Sequence, residues 1–124
     1  DEAAAWVAAH DLIADAAEAV KEQRRAVAAG GAATAVQTQA ADYDEHRVGP
    51  HLWNGISVVR VNCGTAIVGN PEQVADELLG YWCLGVDEFI LSGFPHLEEC
   101  RRVADDVLPL LREKIAASDA GSAV

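Results

Sequence analysis

The sequence has no methionine, only three cysteines, and few cations: nine lysines and arginines stand against twenty aspartates and glutamates. Each shortage excludes something. Without an initiator, the chain reads as a processed or partial product of a longer frame. Cys63, Cys83 and Cys100 are odd in number and widely spaced, with no CxxC pair. That pattern argues against a disulfide framework and for reduced thiols in a cytoplasmic protein. A net charge of −11 repels nucleic acid and anionic membrane surfaces, so neither is expected as a partner. No apolar run approaches the roughly 20 residues of a membrane span, and no secretory leader is expected.

What is there is mostly helical in pattern. Over residues 1–29, Trp6, Ala9, Ile13, Ala16, Val20 and Val27 recur at steps of three, four or seven, which predicts one long amphipathic helix ended by Gly30-Gly31. Residues 32–55 hold no sustained period, and "DYDEHRVGPHLWNG" mixes charge, Gly, Pro and aromatics. Irregular segments of that length inside domains are usually lids or linkers. "ISVVRV" and "TAIV" read as short β-prone runs. Asn70, Pro71 and Gln73 spell a helix start, with Asn70 as N-cap, Pro71 at the first helical position and Gln73 completing a capping box. Val74, Leu78 and Trp82 or Tyr81 face inward, and Gly85 ends the helix.

"VDEFIL", residues 86–91, is apolar at four of six positions, as central parallel strands tend to be. From Leu97 a last helix is predicted to bury Leu97, Cys100, Ala104, Val107 or Leu108, Leu111 and Ile115, with a kink or break near Leu108 because Pro109 has no N–H for the Asp105 carbonyl. Residues 116–124 read as a flexible tail. This inventory does not close. One strand that is apolar on both faces needs neighbours on both edges, and a strand followed by a helix is the unit of an α/β fold whose sheet is mostly missing.

The stretch "GTAIVGNPEQVADELLGYWCLGVDEFILSGFPHLEECRRVADDVLPLL", residues 64–111, resembles the C-terminal end of the bacterial luciferase-like flavin monooxygenases, and within them the alkanesulfonate monooxygenases. The marks are the helix start, the "LGVD" step into the strand and "LSGFPHLEE"; "GPHLWNGISVVR" is similar to the segment before the mobile loop of those enzymes. The resemblance covers about residues 48–111 well and the opening helix more weakly. It implies that residues 1–115 are the C-terminal part of a TIM (β/α)8 barrel, with a lid-like segment near 32–64 and the eighth strand near 86–91. Active sites of such barrels lie at the C-terminal ends of the strands.

The resemblance further implies reduced FMN, supplied by a separate flavin reductase, as cofactor, and dioxygen-dependent cleavage of an organosulfonate to an aldehyde and sulfite. The full-length enzyme would be a homo-oligomer. The residues that would bind the flavin phosphate are not located in this stretch. Arg60 matches an arginine on the family's mobile loop, where a guanidinium fork suits a sulfonate's three oxygens and assists turnover. The plain alternative is a surface arginine at a strand end. "VNCG" follows it where the family has a glycine-rich run. His96 matches the family's histidine and is expected at the catalytic pocket, against the plain alternative of an exposed helix-start residue. Phe94, a substrate-pocket residue by the same match, stands where tyrosine is common, so no hydroxyl is available there. Trp53 could cap the pocket from the long segment or lie in the core, and no role is assigned to it. His96 and Cys100 have the i, i+4 spacing of a metal pair, but His46 and His51 are too scattered to complete a site, and no metal is expected. Two other readings stay open. One is a related flavin monooxygenase acting on a sulfone or other small organic molecule, and the other is a non-catalytic acidic helical interaction module.

Overall fold

The computed structural model describes residues 1–14, 46–58 and 64–121. These are mostly helical, with one short antiparallel ladder. The chain divides into two units, Asp1–Gly69 and Asn70–Val124.

The first unit opens with α1, Glu2–Ala14. Asp1 caps it by accepting a hydrogen bond from the Ala4 N–H at 2.9 Å, and Glu2 places negative charge beside the positive helix end. Ala9 is buried and Trp6 and Ile13 are half-buried, as the stripe predicts, while Asp11 is exposed. Positions 15–29 of the expected helix lie outside the described residues. α1 packs on a 3-10 turn, Gly55–Val58. Strands β1 (Leu52–Trp53) and β2 (Ala66–Ile67) pair antiparallel, with Leu52 opposite Ile67 and Trp53 opposite Ala66. Trp53, 1% exposed, centres this unit's core with Ile56, Val68 and Ala9. Gly55 is required by that tryptophan, because a Cβ there would run into the indole.

The β-prone run "ISVVRV" is corrected in part. Ile56 to Val58 form the 3-10 turn, because Ser57 turns both its N–H and its Oγ onto the Asn54 carbonyl, at 3.1 and 2.7 Å. Such local bonds compete with a ladder. Residues 59–61 of that run lie outside the described residues.

The second unit begins with α2, Pro71–Cys83. Its capping box is reciprocal: the Gln73 N–H donates to Asn70 Oδ1 at 3.0 Å, and the Asn70 N–H donates to Gln73 Oε1 at 2.8 Å. Ala75 and Leu78 are buried, Val74 and Trp82 half-buried, and Tyr81 exposed. At the other end Gly85 takes φ +96°, a conformation that suits glycine. The Gly85 N–H then reaches the Trp82 carbonyl at 2.9 Å and the Val86 N–H the Tyr81 carbonyl at 3.1 Å, the two bonds of a Schellman stop.

Residues 86–91, expected as a buried eighth strand, carry no ladder. Ile90 is 97% exposed, and Val86 and Leu91 are exposed as well. The physical reason is the lack of partners. An apolar strand is buried only by neighbours on its edges, and among the described residues the sole sheet is β1–β2, with no barrel.

α3 (His96–Arg102), a π turn (Val103–Val107) and α4 (Leu108–Gly121) then form one helical run. The expected disturbance at Pro109 is present as this π turn. The Leu108 N–H donates to the Val103 carbonyl five residues back, which widens the helix where Pro109 cannot donate, and the run continues without a break. Val107 and Leu111 are buried, and the π turn and α4 pack on α2. Leu97, Cys100 and Ala104, expected inside, are exposed. The helix extends through Gly121, past residue 115, where the sequence reading placed the start of a tail. Lys114 of α4 clamps α2 by pairing with Glu72 at 2.6 Å and Asp76 at 2.7 Å. No helix among the described residues is long and apolar enough to cross a membrane.

Candidate functional site

Segment 86–91, exposed except for the half-buried Phe89, leads through Ser92 and Gly93 into the head of α3. Pro95, with φ −65° and ψ 139°, is the extended residue before the helix, and the Phe94–Pro95 peptide is cis. Glu98 and Glu99 fill the first turn, where carboxylates complement the positive helix end. The Glu99 N–H donates to the Pro95 carbonyl at 3.0 Å. Phe94 and His96, on either side of Pro95, bring their rings together with centroids 4.6 Å apart and planes tilted by 53°. Phe94 is half-buried and His96 exposed.

The turn therefore offers an aromatic face beside an imidazole that is open to solvent. The imidazole can donate or accept a hydrogen bond. The phenyl ring supplies only apolar contact. Arg60, the third residue singled out from the sequence, lies outside the described residues, as do 15–45 of the first helix and lid-like segment.

A second cluster, in the first unit, joins residues that the sequence reading did not bring together. The Arg47 guanidinium lies 3.7 Å from the centroid of the Trp6 ring. Trp6 and His10 have ring centroids 6.2 Å apart, and His10 meets Trp53 edge-on at 6.1 Å. Trp6 and His10 are spaced i, i+4 on α1, a signal the sequence does carry. The contacts with Arg47 and Trp53 depend on tertiary folding and leave no local trace. Among the described residues, Trp6 Nε1, His46 Nδ1 and His51 Nδ1 are buried without a hydrogen-bond partner. A shallow depression beside Trp6 is lined by Asp1, Glu2, Ala3 and Arg47 as well. The cluster reads as a packed corner around Trp53.

Among the described residues no group of three or more His, Cys, Asp or Glu is placed to hold a metal ion. His96 and Cys100 are both exposed on α3. Beside Asp76 and Glu72, the Lys114 ammonium is held above its ordinary pKa, first by the hydrogen bond to Asp76 and then by that to Glu72. That perturbed group belongs to the clamp between α2 and α4. No protein-family model matches the chain.

Proposed function

We propose that this chain is the C-terminal part of a luciferase-like (β/α)8 flavin monooxygenase that cleaves organosulfonates to aldehyde and sulfite. The observation that carries the reading is the Phe94–His96 ring pair, set shortly after an apolar segment in which Val86, Ile90 and Leu91 are exposed. An apolar segment followed by a pocket-type turn and a helix is what a barrel strand delivers when its neighbours lie elsewhere in the protein. The resemblance of "LSGFPHLEE" supplies the chemistry.

In the proposed reaction one atom of dioxygen becomes the aldehyde oxygen and the other leaves as water, with two electrons from reduced FMN. A flavin phosphate needs converging backbone amides or cations. The turn at 92–96 is followed by Glu98 and Glu99, so it does not fit that end of the cofactor. The phosphate site is assigned to other parts of the barrel. In this reading His96 faces a substrate or product oxygen, Phe94 excludes water beside it, and Arg60 carries the sulfonate on the lid. A reductase supplies the reduced flavin.

The exposed Leu84, Ile90 and Leu97 also favour an acidic interaction module, since either role requires something to cover them. The reading frame upstream separates the two. Seven further strand–helix units support the barrel, and an unrelated domain sinks it. Within the barrel reading, a substrate panel separates sulfonates from sulfones, because sulfite appears as product only from the former class in the proposed reaction.

A further inference from the structure

We infer that Glu99 is a positioning residue, which holds the Phe94–His96 ring pair in place by lying across Gly93. All three parts of Glu99 are held. Its N–H bonds the Pro95 carbonyl between the two rings, at 3.0 Å. Its carboxylate pairs with the Arg102 guanidinium one turn on. Its stem passes so close to Gly93 that a Cβ there would stand 2.5 Å from Glu99 Cβ and 2.9 Å from Cγ. Non-bonded carbons settle at about 3.5–4.0 Å, so a side chain at 93 must displace either the turn or the helix head. Gly93 is thus required by close approach. With the stem seated and the head tied to Arg102, the chain before Phe94 is pinned to the turn of α3 that bears His96.

The functional weight of this rests on reading the turn as the mouth of a substrate pocket. The test reads geometry alone, so the two can fail separately. In the full 124-residue chain labelled at histidine, the His96 ring protons should carry a ring-current shift from Phe94, identified by its loss in Phe94→Leu. Gly93→Ala should abolish that shift, and adding Glu99→Gly, which removes both clashing carbons but also the stem, should bring it back only to the reduced level of a variant without the Glu99 side chain. Glu99→Ala should reduce the shift, whereas Glu99→Gln, which keeps the stem and an acceptor for Arg102, should retain it. An unchanged shift in Gly93→Ala, or a full wild-type shift in the double variant, overturns the inference. If Gly93→Ala does not fold, the Glu99 pair decides: equal shifts in Glu99→Ala and Glu99→Gln overturn it.

Discussion

Phe94 and His96 face each other across Pro95, with ring centroids 4.6 Å apart, and Phe94 is only partly covered. Phe94→Tyr should change stability by no more than about 0.5 kcal/mol, as at other sites outside a packed core. A thermal or urea melt checks this. A loss above about 2 kcal/mol would mark Phe94 as core, since overpacking costs that much.

The helix start at Asn70 should matter more. Asn70→Ala removes the acceptor for the Gln73 N–H and strips one half of the reciprocal box. The expected loss is about 1 kcal/mol. Gln73→Ala should cost less, because the Asn70 cap remains. Urea titrations of both variants test the order.

Two leucines separate packing from exposure. Leu78 is 2% exposed and Leu97 is 63% exposed. Leu78→Ala should cost about 2–5 kcal/mol through lost burial and the cavity left behind. Leu97→Ala in the isolated chain should stay within about 0.5 kcal/mol. A large loss for Leu97→Ala would show that α3 is covered in solution.

These contrasts show which parts of the fold were legible. The ends of α2 are written locally, by Asn70, Pro71 and Gln73 at one side and Gly85 at the other, and the structure follows them. The ladder was half legible. Ala66–Ile67 lies in a run that reads as β-prone, but Leu52–Trp53 is two residues long inside an irregular stretch, and only its partner defines it. The last helix was legible as a helix and misread as a surface. Periodicity says which residues share a face, and it does not say what covers that face. The π turn adds its own error, because one extra residue rotates the following face by roughly 100°. The stripe through Leu97, Cys100 and Ala104 therefore does not continue into Val107 and Leu111. At the candidate site, the Phe94–His96 neighbourhood follows from two-residue spacing around a proline. The closeness of Gly93 to Glu99 does not follow from spacing, since it depends on how the turn meets α3.

The Lys114 clamp predicts a pH dependence. Its folded pKa is raised by the hydrogen bonds to Asp76 and Glu72, so its stabilising contribution is fully present below the free lysine's pKa and is lost as pH rises through the folded value. Lys114→Met should lower Tm near pH 8, and the gap to wild type should close in strongly alkaline solution. High salt should narrow it too, because both partner carboxylates are exposed to solvent. A gap that persists unchanged above the lysine range would assign the effect to the side-chain stem.

The central claim is sulfonate oxidation, and sulfite release measures it most directly. If the chain is part of the proposed monooxygenase, the full-length enzyme, given reduced FMN from a reductase, dioxygen and an alkanesulfonate, should release sulfite and aldehyde in equal amounts. Arg60→Ala should lower that rate by about 10²–10³-fold, as loss of a charge-assisted contact in the transition state does, while the melting profile stays near wild type. No sulfite from any alkanesulfonate, or an undiminished rate in Arg60→Ala, would contradict the account.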